Sequence, residues 1–129
     1  MYGLGLAKNA IRKDDLALVV EGYLDVISLA QNGFENVVAV LGTGFTKEQA
    51  ELLGRYTKKT CLLFDSDNAG LKAAFRSADV LLASGVHPSI GSLPKGMDPD
   101  GVVHKEGRDA LATYIDGSVD VLDRKLQML

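Results

Sequence analysis

Four short apolar runs divide this chain, each followed by a stretch of helical character. Residues 16–20 (LALVV), 37–41 (VVAVL) and 60–64 (TCLLF) are apolar at almost every position, and 89–93 (SIGSL) is a weaker fourth. Runs that lack polar alternation are what strands covered on both faces look like. Between them, Leu24, Ile27 and Leu29 fall near helical spacing, so 23–32 reads as a helix with Gly33 at its C′ position. Thr46, with Gln49 three residues on, carries the signature of a capping box and opens another helix. A long helix is expected from about 69 to 84, stopped by Gly85. Pro99 at the first helical position, with Asp98 as N-cap, starts a short helix that runs to Lys105 and ends at Gly107.

The two ends are less regular. Residues 6–12 read as a short helix and Lys13-Asp14-Asp15 as a turn. Residues 108–115 read as a helix, and 119–129 as a second one, capped by Ser118 and carrying a stripe of Val119, Leu122, Leu126 and Leu129. The strands recur about every twenty residues with a helix between them, which is the rhythm of βαβ units. The expected fold is therefore α/β: a four-stranded parallel sheet with helices on both faces, plus a C-terminal helical extension.

At 129 residues there is room for one domain with a core of its own. A hydrophobic fraction of 47% and a charged fraction of 24% exclude both a disordered and a membrane-spanning composition. No apolar run reaches the roughly 18 residues that a membrane span needs, and no signal-peptide pattern opens the chain. The expectation is a cytoplasmic protein with no membrane partner. Cys61 is the one cysteine and sits inside an apolar run, so it reads as a small buried hydrophobe. His87 and His104 are too few and too isolated for zinc.

The chemistry is concentrated where the strands end. The first run stops at Glu21, the third at Asp65-Ser66-Asp67, and the fourth is followed within a few residues by Asp98-Pro99-Asp100. In a parallel sheet these ends share one edge, the edge at which open α/β sheets bind ligands. Asp25 lies one helical turn beyond Glu21. Carboxylates brought this close ionise together only with cations between them, and hard divalent cations such as Mg²⁺ or Mn²⁺ take such oxygen ligands. Asp65 and Asp67 are the leading candidate ligands, with Asp98 and Asp100 next. Glu21 is either a ligand or a base, and Asp25 stands in a supporting position behind them. The competing reading is that Asp25 and Asp98 merely complement helix N-termini.

Weaker candidates lie around the same edge. Gly42-Thr43-Gly44 offers backbone amides to a phosphate or is a plain turn. Lys95, in the loop before Asp98, and Lys72 and Arg76, on one face of the long helix, either meet phosphates or are simply solvated. Fourteen Lys and Arg against seventeen Asp and Glu give a net charge of −3, which by itself argues against nucleic acid. If the six clustered acids are set apart, eleven remain against fourteen bases, and the rest of the surface becomes mildly basic.

Together, Glu21-Gly22-Tyr23-Leu24-Asp25, Leu41-Gly42-Thr43, Asp65-x-Asp67-x-Ala69-Gly70 and Gly96-Met97-Asp98-Pro99-Asp100 resemble the Toprim domain. The Glu-Gly-Tyr-x-Asp and Asp-Pro-Asp blocks resemble, more narrowly, that domain as it occurs in bacterial-type DNA primases. The resemblance implies a sheet in the order 2-1-3-4, with Glu21 and Asp65 facing each other at the topological switch point. It also implies nucleotidyl transfer supported by two or more Mg²⁺ or Mn²⁺ ions, acting on nucleoside triphosphates over a single-stranded DNA template to extend an RNA primer. On this likeness residues 1–15 are a linker from a basic core portion, 16–106 the Toprim domain and 107–129 the helical extension. The zinc-binding domain, the basic core portion and the C-terminal domain that meets the replicative helicase in such primases have no counterpart in these residues.

Three rival enzyme or signalling classes share parts of the pattern, and a non-catalytic metal- or nucleotide-binding module inside a larger assembly is a further reading. A phosphoacceptor receiver domain also places an aspartate after its third strand, but its first strand ends in two adjacent acids where this chain has one. Haloacid-dehalogenase-like phosphatases use Asp-x-Asp after the first strand, not the third. Topoisomerases and some nucleases share the Toprim Asp-x-Asp but not the narrower blocks.

Overall fold

The apolar runs form the middle of one twisted sheet in the computed structural model, which describes residues 1–40 and 44–120. Strands β1 (Ala17–Val20), β2 (Val37–Ala39), β3 (Lys59–Leu62) and β4 (His87–Ile90) are mutually parallel. Together with β5 (Val119–Asp120), they stand in the order β2-β1-β3-β4-β5. The chain leaves β1 to one side for β2, then crosses back to place β3 on the other side. That reversal opens a crevice between the carboxyl ends of β1 and β3.

β1 and β2 are apolar throughout, and β3 at Cys61 and Leu62, because both faces are covered there; β4 is mixed, with His87 exposed, and begins two residues before the run expected over 89–93. Val19, Val38, Leu62 and Phe64 point to one side, against α1 (Leu4–Asp14), α3 (Lys47–Gly54) and α4 (Asn68–Ala83). Leu18, Val37, Cys61 and Leu63 point to the other, against α2 (Tyr23–Gln31), α5 (Pro99–Glu106) and α6 (Arg108–Asp116). Cys61 is buried there as a small hydrophobe, and burial pushes its thiol above the ordinary range. None of the described helices is long and apolar enough to cross a membrane.

Local signals set the helix ends. The Thr46 hydroxyl accepts from the Gln49 N–H at 3.2 Å while the Gln49 side chain accepts from the Thr46 N–H at 3.0 Å, closing the capping box. Pro99 occupies the first turn of α5, as its missing N–H allows. At the amino end, α1 extends beyond the 6–12 expected from sequence. Its Ala7 and Ile11 are buried against the sheet, and packing of this kind supports turns that propensity alone would not. Just before it, Tyr2 pairs antiparallel with Ala39, exchanging hydrogen bonds of 2.9 and 3.0 Å on the free edge of β2.

One element differs in kind from the sequence reading. Val119 and Asp120, expected to open a helix over 119–129, instead pair antiparallel with Ile90 and Ser89 of β4. The helical pattern ends at Asp116, with Gly117 as C-cap, and the Ser118 hydroxyl bonds the Ser89 hydroxyl at 3.0 Å rather than capping a new helix. The pairing also covers an otherwise open sheet edge. The remainder of that expected helix, 121–129, lies outside the described residues.

Candidate metal centre

Glu21 leaves β1 directly, and Asp65 follows β3 after two more buried residues, Leu63 and Phe64. Leu63 still donates to the Val19 carbonyl at 2.8 Å, so the ladder between the strands continues to the mouth of the crevice. There the Glu21 Oε1 accepts from the Asp65 N–H at 2.8 Å, across 44 residues of sequence. Neighbouring parallel strands hold the two corners in register.

The second aspartate of the pair has a structural duty as well. The Asp67 Oδ1 accepts from the Gly70 N–H at 2.6 Å and caps α4. A β-carbon on Gly70 would overlap the Asp65 carbonyl, so only glycine lets the helix start this close to the strand. Asp98 repeats the arrangement at α5, accepting from the Gly101 N–H at 2.7 Å. The capping reading is thus correct for Asp98 and extends to Asp67. Capping engages one oxygen of each carboxylate.

Asp25 behaves differently. It sits in the first turn of α2 yet is buried, and its Oδ1 accepts from the Asp100 N–H at 3.0 Å, joining α2 to α5. Sequence reasoning placed it behind the ligands, and the structure ties it to the Asp98–Asp100 corner. Asp100 in turn meets His104 one helical turn on, Oδ1 to Nε2 at 3.0 Å. Counted with His87 as a zinc ligand, His104 is isolated; its i, i+4 spacing from Asp100 is the signal that puts it beside the acids.

The acids act on one another. Burial, and after it the charges of Asp98, Asp65 and Asp100, raises the Asp25 carboxyl to about 6 against the hydrogen bond from Asp100 that lowers it. Glu21 is also held above the ordinary carboxylate range. Burial is the largest cause, the Asp65 N–H opposes it, and Asp65 and Asp67 add repulsion. Asp65 is raised by burial, then by Asp98 and Asp67. Each of the three corners therefore feels the charge of another.

The donor set fits hard divalent ions. It is all oxygen, and the bonds described above engage a single carboxylate oxygen each of Glu21, Asp25, Asp67 and Asp98. No three of the described acids, histidines or cysteines converge closely enough to ligate a single ion as they stand. The remaining candidates surround this cluster without entering it. Lys95 is exposed in the loop before Asp98, and Lys72 and Arg76 are exposed one turn apart on α4. Gly42 and Thr43 lie outside the described residues.

Sequence reasoning passed over Ser66, the residue between the two aspartates. Its hydroxyl donates to the Pro94 carbonyl and accepts from the Gly96 N–H, both at 2.9 Å, linking the β3 corner to the loop after β4.

Residues 18–103 match the Toprim-like family. Over 127 residues the chain is 43% identical to a DNA primase of Clostridium acetobutylicum, a match that covers 98% of this chain and 21% of that protein. Among solved structures, the Aquifex aeolicus primase, comprising its zinc-binding and RNA polymerase domains, superposes with a TM-score of 0.90 at 40% identity. That likeness covers 95% of this chain and 30% of the solved one. A DNA primase domain from Pseudomonas aeruginosa gives 0.89 at 39% identity, over 98% of this chain and 41% of that one. The chain spans about a fifth of the length of the curated relative it matches. With the order β2-β1-β3-β4, the acidic corners at one edge and a family match over most of its length, the chain belongs to the Toprim-like family and is similar there to bacterial DNA primases.

Proposed function

We propose that this chain is the metal-binding catalytic portion of a DNA primase, an RNA polymerase that joins nucleoside triphosphates into primers on single-stranded DNA. One observation carries the reading. Three acidic corners from separate parts of the sequence meet at one sheet edge, joined by the Glu21–Asp65 and Asp25–Asp100 hydrogen bonds. A surface loop with capping acids has no need of those cross-links.

In this reading Asp65, Asp67, Asp98 and Asp100 hold two or more Mg²⁺ or Mn²⁺ ions. When bound, the ions neutralise charge on the triphosphate and activate the attacking 3′-hydroxyl. The chain's own contribution is position. Glu21 is bonded to the Asp65 backbone and Asp25 to the start of α5, so the corners are tied to one sheet edge and ion binding has only to draw the carboxylates together. Holding reacting groups in place in this way is worth roughly 7–11 kcal/mol of barrier. Glu21 is either a further ligand or the group that takes the hydroxyl proton, and the pH–rate profile of Glu21→Gln separates these roles. The exposed Lys72, Arg76 and Lys95, with the Gly42–Thr43 loop, are the candidates for contact with substrate or template phosphates.

The reading divides the chain into a lead-in (1–15), the Toprim unit (16–106) and an extension (107–129). It places the protein in the cytoplasm, with the template, the RNA primer and the replicative helicase as partners of the longer polypeptide. The test is an exchange: this chain replaces the matching segment of the C. acetobutylicum primase. The chimera is expected to make primers with Mg²⁺ or Mn²⁺, and its Asp65→Asn form to bind single-stranded DNA but make none. A folded chimera that makes no primers, or an Asp65→Asn form that still does, overturns the proposal.

A further inference from the structure

We infer that Ser66 is a positioning residue that sets the Asp98–Asp100 corner against Asp65 and Asp67. The inference rests on the metal-site reading above and adds to it a residue that is not itself a ligand. Ser66 has two simultaneous partners in a loop about thirty residues away in sequence. Its hydroxyl donates to the Pro94 carbonyl at 2.9 Å and accepts from the Gly96 N–H at 2.9 Å. A hydroxyl can do both at once; neither alanine nor glycine can do either.

The segment it grips is a tight turn. The Met97 N–H donates to the same Pro94 carbonyl at 3.1 Å, and Gly96 has a φ of 79°. That is the conformation required at the third residue of a type II turn, and it explains the glycine. Asp98 follows two residues later as the cap of α5, so the direction in which the turn releases the chain sets where Asp98 and Asp100 stand. Glu21 ties the β1 corner to β3, and Asp25 ties α2 to α5. The Ser66 bridge is the remaining link, between the β3 corner and the loop after β4. With all three in place the acids are related to one another by hydrogen bonds rather than by loop conformation alone.

Groups that orient metal ligands without touching the ion are worth about 10–100-fold in affinity when removed. Ser66→Ala in this chain is therefore expected to weaken Mn²⁺ binding roughly tenfold, measured by the electron paramagnetic resonance signal of free Mn²⁺. Ser66→Thr, which keeps the hydroxyl, is expected to restore it. Ser66 is half-buried, so Ser66→Ala is expected to stay folded with only a modest fall in the metal-free melting temperature. If Ser66 acts through Asp98, its removal costs little more once Asp98→Asn is present; a merely structural role makes the two losses add. Unchanged Mn²⁺ affinity in Ser66→Ala, whatever its melting temperature, overturns the inference while leaving the metal site standing. Additive losses overturn it as well. Failure of the unaltered chain to bind Mn²⁺ overturns the metal-site reading itself.

Discussion

Glu21 and Asp65, 44 residues apart in sequence, meet where β1 and β3 end, the Glu21 carboxylate accepting from the Asp65 N–H at 2.8 Å. One oxygen of an acid is thus engaged by the backbone of the residue that carries the next acid. The arrangement orients Glu21 without neutralising it, and like charges remain close together. A folded chain that keeps such a cluster is expected to respond to cations and to pH.

Cations come first. Mg²⁺ or Mn²⁺ at millimolar concentration is expected to raise the melting temperature, because a ligand that binds only the folded state stabilises it in proportion to the logarithm of its saturation. Asp67→Asn is the informative variant. Asparagine caps a helix about as well as aspartate, so the bond from Gly70 survives and the metal-free chain keeps its stability or gains from reduced repulsion. The Mn²⁺-induced rise should shrink. A melting curve unmoved by Mn²⁺ would show that the acids do not share a site.

The pH dependence follows from Asp25, raised to about 6 by burial and by its acidic neighbours. Between the ordinary aspartate range and about 6, the folded chain binds more protons than the unfolded chain, so stability falls as pH rises through that window. Lowering the pH from about 7.5 to about 5 should stabilise the metal-free chain by on the order of 1–2 kcal/mol as Asp25 takes up its proton. Asp25→Asn should flatten the trend. With Mn²⁺ present the trend should reverse, since ligands must lose their protons to bind. Urea titrations across this pH range, with and without Mn²⁺, provide the check; a metal-free chain that becomes steadily less stable below pH 6 contradicts the account.

Gly70→Ala tests the packing beneath the site. Alanine is ordinarily the better helix former, but its β-carbon would overlap the Asp65 carbonyl here. The variant is expected to lose about 2 kcal/mol or more in denaturant unfolding and to bind Mn²⁺ less well, because relief of the overlap moves Asp65. A more stable variant would mean that the corner relaxes freely.

Acetyl phosphate separates this chain from a receiver domain. With Mg²⁺ present, no phosphoryl adduct is expected at Asp65, whose proposed role is to hold ions rather than to attack phosphorus. A mass gain of one phosphoryl group that disappears in Asp65→Asn would favour the signalling class instead. The fold already leans the other way: the described part of the fifth strand, Val119–Asp120, pairs antiparallel with β4, whereas the doubly wound order of receivers continues in parallel.

Local sequence determined most of the elements, though β4 falls at His87–Ile90 rather than 89–93 and β5 was not legible. A strand covered on both faces must be apolar throughout, so 16–20 and 60–64 were legible, and the four-residue logic of caps exposed Thr46, Asp98 and Pro99. The acids at strand ends could also be read, because a parallel sheet has a single carboxyl edge. Which acid touches which could not. The Glu21–Asp65 and Asp25–Asp100 bonds span 44 and 75 residues and depend on side-chain direction, which residue order does not encode. The same holds for Ser66, an ordinary polar residue until the loop after β4 is laid beside it. At the carboxyl end the first two positions of the helix expected over 119–129, Val119 and Asp120, pair with β4 instead. Tertiary structure decided that point, because an unpaired strand edge competes for backbone that a weak local preference leaves available.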